Sequence, residues 1–553
     1  MRNPPTLRAC RVADADSALR FMSVAVKELL RASRPPGAPG KADKYLPDIA
    51  QDLRCLLEKT QRGFTDRSAV WPEASLSELA TVLVEFGEDL HADSGLWRSL
   101  ENYNREFFGT LLPLAVGVSS ADAPNRFDPR RIQHLLWTLW MEMDSEIYPS
   151  PSHANLLQLA KVAGGFLTER FTRLPADSGV KNFLAGPSRF GWEIKRRLVW
   201  LGTKSYLFRR FFTNYVNEHD EGASVGVTDD FICQESTGWS GLGAIDILAG
   251  ALDLPAEDRA TLRTWYERHA AFYRVVSRKD RGEETECIVV RNLVNGQPYT
   301  VRMNMPRCPF HPGLVVFGSL TPWRGEWYWS GEQRPYENVP EHEEATLRRE
   351  MLERHPGIAY RYCPAEAAQA RAANRKHHDE FVAHCGGDLA VYPDGLTLAA
   401  AEQKRLETLW RAADPEHVRR LMRERGLEKP RPPMRFPREF LDHDQGIGAF
   451  YNPEEGQEFM LGFNHLLSGL RKQGDGLSDP ERDALRHFVT DRCGSPAFVH
   501  RLVREHGAAS LLETFHLRDL PPDRALAFLL RCHKGRFYRN RYPTLSLVQG
   551  GES

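Results

Sequence analysis

Within seven residues, from Asp229 to Glu235, this sequence places three carboxylates, Asp229, Asp230 and Glu235, just downstream of a long basic run. Carboxylates spaced this way can hold Mg²⁺ if the segment folds back on itself, because Mg²⁺ takes hard oxygen ligands. Metal-dependent nucleases set such acids beside a basic groove, so a metal-dependent hydrolase is one reading. The same acids also suit a capping cluster for a helix expected at 241–252, with ion pairs to the preceding arginines. The basic run offers Arg189, Lys195, Arg196, Arg197, Lys204, Arg209 and Arg210 against the single acid Glu193. On a helix, Arg196 shares a face with Trp192 and Trp200, four residues to either side, so guanidinium and indoles stand together. Such a surface neutralises phosphates while its aromatics stack on unpaired bases. The competing use is a rim whose basic stems cover a buried aromatic core.

Other residues invite chemistry and are weighed on spacing. Trp323, Trp327 and Trp329 lie in a hairpin sequence in which Trp327 and Trp329 share one face and Tyr328 takes the other. An exposed aromatic face there would be a recognition surface for nucleic acid or a protein partner. His377, His378, His384 and Cys385 fall on one expected helix, where residues seven apart are about 10.5 Å apart along the axis. Zinc ligands must converge to about 2.3 Å from one ion, so no metal site is assigned. Ser240 lacks the glycine two places on that a nucleophile elbow needs, since Leu242 stands there. Gly238 to Gly243 is therefore expected to be a glycine-rich turn at close helix packing. Asp442 to Gly446 opens like a calcium loop, but Ile447 replaces the required glycine and Pro453 the glutamate.

The elements that must position these residues follow from periodicity. Apolar residues at helical spacing predict helices over 15–33, 45–62, 74–91, 96–115, 129–145 and 153–173, with the aromatic run Leu135 to Met141 packed toward the centre. From Phe272 the sequence turns β-branched and partly alternating, with Asn295-Gly296 and the Pro322 to Gly325 segment as hairpin turns, which predicts five short strands. Helical patterns return after Tyr336. Ser478 to Glu481 reads as a capping box, and Ser495-Pro496 puts proline at a first helical position. Lys429 to Arg438 is a proline-broken basic arm, and the C-terminal tail is basic and aromatic.

Composition bounds the class. The 553 residues, 41% hydrophobic and 27% charged, describe a folded multi-domain chain. A formal net charge of -1 gives no long-range pull toward polyanions. Nine cysteines without a C-x-x-C pair argue against a disulfide framework and for a reducing cytoplasm. The polar N-terminus reads as no signal peptide, and no apolar run approaches the roughly 18 residues of a membrane span.

Six motifs carry a family resemblance: G-W-E-I-K-R-R-L-V-W-L-G-T-K-S-Y-L-F-R-R, W-S-G-L-G-A-I-D-I-L-A, W-Y-E-R-H at 265–269, P-W-R-G-E-W-Y-W-S-G, and the C-terminal pair G-Q-E-F-M-L-G-F-N-H-L and S-P-A-F-V-H-R-L-V. With them the chain resembles an uncharacterised bacterial protein family over about residues 125–550. The resemblance implies a bacterial cytoplasmic protein and one inherited architecture, and no activity. The expected fold is a mainly α, multi-domain helical protein with one inserted small SH3-like β-barrel. Its expected segments are a helical domain at 1–125, a central helical domain at 126–270, the barrel at 271–333, a helical segment at 334–430 and a C-terminal helical domain at 431–553. The expected function is a binding or accessory factor with a nucleic-acid or protein partner, no cofactor and no membrane. The alternatives are the hydrolase using Asp229, Asp230 and Glu235, and a structural subunit of a larger assembly.

Overall fold

The computed structural model describes residues 25–67, 69–115, 125–143, 149–268, 270–279, 286–305, 308–354, 364–424, 436–452, 456–491 and 493–539. The start of the helix expected at 15–33, most of the basic arm at 429–438 and the end of the basic tail lie outside them. The chain divides into two units, one covering 18–362 with 515–540 and the other built on 363–514.

In the first unit the helices include α1 (Val26–Ser33), α2 (Leu46–Arg62), α3 (Leu76–Ala92), α4 (Leu96–Phe108), α5 (Pro129–Met143), α6 (Ala154–Phe171), α7 (Gly179–Leu184), α8 (Gly191–Lys204), α9 (Arg209–Asn217), α10 (Val225–Gln234), α11 (Ala244–Ala251) and α12 (Ala256–Arg263). Helix α3 is buried on nearly every side, packed against α1, α2, α4, α6 and α7, and its buried acids Glu85, Glu88 and Asp89 are held by Arg209, Arg34 and the Trp97 N–H. An aromatic core joins distant sequence: Trp97 meets Phe86 at 4.9 Å and Trp239 at 5.9 Å between ring centroids. His134 packs against Trp97 and Trp239, so the aromatic run of α5 is core, and burial pushes that imidazole down to about 3, which keeps it neutral.

The glycine-rich segment is the tight turn its sequence suggests. Trp239 is fully buried and donates its indole N–H to the Leu207 carbonyl at 2.5 Å. Ser240 donates to Asn104 Oδ1 at 2.6 Å. Gly241 has a left-handed φ of +74°, and a Cβ there would lie 2.3 Å from the Arg531 carbonyl oxygen of the helix Pro522–Lys534. Only glycine lets that helix approach so closely.

The first sheet contains β1 (Ala270–Lys279), β2 (Cys287–Asn292), β3 (Pro298–Arg302), β4 (Val315–Trp323) and β5 (Glu326–Tyr336). The β4–β5 turn has φ of +47° at Arg324 and +79° at Gly325, the positive values of a two-residue primed hairpin. Strand β1 pairs antiparallel with β2 and β4, β2 with β3, and β4 with β5. Strands β3 and β5 are parallel, joined at Val301 and Trp327.

Two findings correct the expected fold class. The five-stranded sheet closes in the order β1-β2-β3-β5-β4 and is mixed, because β3 and β5 run parallel, so the SH3-like assignment is withdrawn. A second sheet of three antiparallel strands, β6 (Leu389–Tyr392), β7 (Ile447–Asn452) and β8 (Gly456–Leu461), lies where helices alone were expected. Every residue of β7 is buried, so it shows no alternation, and β6 is only four residues long. Helix still predominates among the described residues, so the helical predominance stands. In this second unit Phe381, Leu398, Phe440, Ile447, Ala449 and Tyr451 form a core. The expected caps are present: Ser478 N–H donates to Glu481 Oε2 at 2.8 Å, and Ser495 Oγ accepts from Phe498 N–H at 3.2 Å ahead of Pro496.

The turn at Gly241 yields a prediction. Gly241→Ala adds a backbone clash to left-handed strain and should destabilise by roughly 2 kcal/mol or more. Gly109→Ala, at φ +69° with nothing within 4 Å of its Cβ, should cost only the strain, about 1 kcal/mol. Urea denaturation of the two variants compares them, and equal losses would contradict the close approach.

Candidate anion-binding cleft

Helix α8 starts where the Phe190 N–H donates to Glu193 Oε2 at 2.9 Å. Ile194, Leu198 and Leu201 are fully buried toward the helical core. The opposite stripe, from Trp192 through Arg196 and Trp200 to Lys204, forms one side of a cleft of about 530 Å³. The end of α1 with Arg34 and Pro36 closes a second side, and Arg302 with Asn304 and the β5 residues Tyr328 and Trp329 form a third.

Among the described residues five cations line this cleft, Arg34, Lys195, Arg196, Lys204 and Arg302, and no carboxylate does. Three of the five are committed to acids behind the surface. Arg34 bridges Glu88 and Asp43 at 2.5 and 2.6 Å. Arg302 pairs with Glu326 at 2.6 Å, and Lys195 pairs with Asp229. The other two, Arg196 and Lys204, are exposed and have no carboxylate partner among the described residues. Arg196 is steadied by the Pro36 carbonyl at 3.3 Å and by the Phe183 ring at 5.7 Å. Aromatic groups gather at the α8 N-terminus, where Trp192 stacks on Phe190 at 4.5 Å and meets Tyr328 edge-on at 5.4 Å. Burial, followed by Glu326, pushes the Tyr328 phenol up, so it remains neutral.

Beneath the cleft lies a buried ionic cluster. Asp229, 3% exposed, accepts from Lys195 of α8 and from the Ser330 hydroxyl of β5 at 3.0 Å, and faces Arg268 Nε at 3.1 Å. Arg268 also pairs with Asp230 and donates to Ser319 Oγ at 2.6 Å. Burial alone would raise the Asp229 carboxyl, but the charges of Lys195 and Arg268 and the hydrogen bonds from Lys195 and Ser330 hold it below its ordinary value. Gly331, at φ +79°, leaves room for this carboxylate, which a Cβ there would approach to 2.9 Å. Lys195 Nζ also reaches Ser330 Oγ at 2.7 Å and Cys233 Sγ at 3.4 Å. Ser330 is 1% exposed with its hydroxyl turned to Asp229, and burial pushes the Cys233 thiol up, so neither presents a nucleophile to the cleft.

The basic residues named from sequence separate by role. Lys195, Arg196, Lys204 and Trp329 come together in the cleft. Arg197 is 3% exposed and donates to the carbonyls of Leu184 at 2.8 Å and Gly186 at 3.0 Å. Arg209 pairs with Glu85 at 3.0 Å and Arg210 with Glu78 at 3.6 Å, tying α9 to α3. Arg189 lies over Phe190 at 4.8 Å. Trp323 is fully buried and donates to the Ser188 carbonyl at 3.1 Å, while Trp327 packs on Tyr299 at 4.7 Å.

Asp229 and Asp230 sit inside α10, whose cap is Ser224, so they are not the capping cluster weighed above. Glu235 follows the last turn of that helix. A Mg²⁺ ion at these acids would have to displace Lys195 and Arg268. His377, His378, His384 and Cys385 lie on the helix Pro364–Cys385, and the described residues contain no group of three or more side chains able to hold a metal. The sequence reading missed Arg34, Arg302, Tyr328 and Arg268. Arg268 and Tyr328 had a signal, their places in the W-Y-E-R-H and P-W-R-G-E-W-Y-W-S-G motifs.

No helix among the described residues is long and apolar enough to cross a membrane. Compared with protein-family models, curated proteins and solved structures, the chain matches none.

The ionic cluster is testable by removing its centre. Asp229→Ala strands Lys195 and Arg268 and should cost about 3 to 5 kcal/mol at pH 7. The Asp229 carboxyl titrates lower in the folded chain than in the unfolded one, so its stabilisation is complete above about pH 4 and drains as pH falls through the folded value. Denaturation of wild type and variant should therefore converge in acid. A pH-independent difference would contradict the pairing.

Proposed function

We propose that this chain is a binding factor without chemistry of its own, and that it takes an unpaired, phosphate-bearing nucleic-acid strand in the cleft along α8. The observation that carries this reading is the lining itself, which among the described residues has five cations and no carboxylate beside Trp192, Trp200, Tyr328 and Trp329. Cations meet phosphates and indoles stack on bases exposed by the absence of pairing, which is the common chemistry of single-strand recognition. A cavity of about 530 Å³ is in the range that encloses a small ligand or a short stretch of a polymer, and a duplex is too wide for it. The formal net charge of -1 means that attraction is local to the cleft. A bacterial cytoplasm is the setting the family resemblance implies. The hydrolase reading is less favoured because Asp229 and Asp230 are already engaged by cations.

Filter binding of single-stranded RNA and DNA at several salt concentrations tests the proposal. Affinity should fall steeply with salt, by a slope of about -0.7 per phosphate neutralised. The double variant Arg196→Ala, Lys204→Ala should flatten the slope by about 1.4 with little change in melting temperature, because exposed cations contribute little to folding. Arg209→Ala with Arg210→Ala should lower the melting temperature and leave the slope alone. Absence of binding at low salt would remove the proposal.

A further inference from the structure

We infer that the cleft is a site for a strand of about four or five nucleotides, and that a free mononucleotide is not its ligand. The inference rests on the nucleic-acid reading above and deepens it. It starts from the two cations without a carboxylate partner among the described residues, Arg196 and Lys204. Both stand on α8, eight residues apart, which is about 12 Å along the axis at ~1.5 Å per residue. A stacked single strand advances about 3.4 Å per nucleotide, so phosphates that meet both cations are roughly three or four steps apart. The single phosphate of a mononucleotide can satisfy one of the two and leaves the other in solvent.

The aromatic groups set the polarity of the site. Phe190 and Trp192 stack at the N-terminal end of α8, with Tyr328 against Trp192 and the Arg302 guanidinium 5.3 Å from the Phe190 ring. Lys204 ends the same helix about 18 Å away, twelve residues on. A base therefore enters at Trp192, one turn from Arg196, and the strand runs toward Lys204. At ~3.4 Å per nucleotide the length from Trp192 to Lys204 admits about five units. Between Arg196 and Lys204 the α8 lining is Val199, Trp200 and Thr203, which contact a strand without adding charge. Asn304, exposed on the facing wall, offers a carboxamide to a base edge or a sugar hydroxyl.

Fluorescence anisotropy on the full chain at low salt reads the footprint directly, with labelled oligothymidylates and oligouridylates of two to twelve nucleotides and thymidine monophosphate as competitor. Affinity should climb to a length of about five and then level, with the monophosphate competing at least about tenfold more weakly than the pentamer. Lys204→Ala should bring the pentamer down toward the trimer and leave the dimer unchanged, whereas Arg196→Ala should weaken both. Trp192→Phe should keep most of the affinity and Trp192→Ala should lose about tenfold at every length, as expected for a stacking platform. Thermal melts identify any variant that fails to fold, and the exposed Lys204 and Arg196 then decide the case. A monophosphate that competes as well as the pentamer, or an affinity still rising at twelve nucleotides, overturns the footprint and leaves the binding proposal standing. No binding at any length overturns both.

Discussion

Asp229 is the constraint on which the first unit depends. Its carboxylate is buried where three pieces of chain meet: α8 contributes Lys195, β5 contributes Ser330 and the residue run entering β1 contributes Arg268. Buried ions cost several kcal/mol each in lost hydration, and the cost is offset only while every partner remains in place. The helical layer and the five-stranded sheet are therefore held in one relative position by charge as well as by apolar packing. That position sets the width of the cleft, because α8 and β5 are two of its sides.

The chemistry of the cleft comes from segregation of charge. Acids that neutralise Arg34, Arg302 and Lys195 stand behind the surface on α3, β5 and α10, while the cations face the cavity. A chain with a net charge of -1 can in this way present a wall with no carboxylate among its described residues. The aromatic corner at Phe190, Trp192 and Tyr328 adds a flat apolar surface next to that wall, and its phenol stays neutral under the influence of burial and Glu326.

Much of this was legible in the sequence, and the exceptions have physical causes. The density of basic and aromatic residues over 189–210 located α8 correctly, and β-branched alternation located all five strands of the first sheet. The positions of Gly238 to Gly243 and the caps at Ser478 and Ser495 were readable because turns and helix starts are specified locally. Which cations stay open to a ligand was not readable. Arg209 finds its acid at Glu85, 124 residues away in sequence, and Lys195 finds Asp229 34 residues away. Asp229 and Asp230 looked like a metal-binding pair for the same reason, since nothing local announces Arg268 as their partner. The second sheet escaped notice because β7 is buried on both faces and shows no period of two. The parallel contact of β3 with β5 joins strands that are not neighbours in sequence, so no hairpin signal marked it.

Photo-crosslinking gives the most direct test of the claim that the α8 cleft is where a ligand sits. A short single strand carrying a photoreactive thymidine or uridine analogue is irradiated with the full-length protein, and the adducts are mapped by mass spectrometry. The account predicts adducts concentrated on Trp192, Tyr328 and Trp329, lost when an unlabelled pentanucleotide is added in excess. Adducts spread over the second unit, or confined to residues outside the cleft while binding persists, would contradict it.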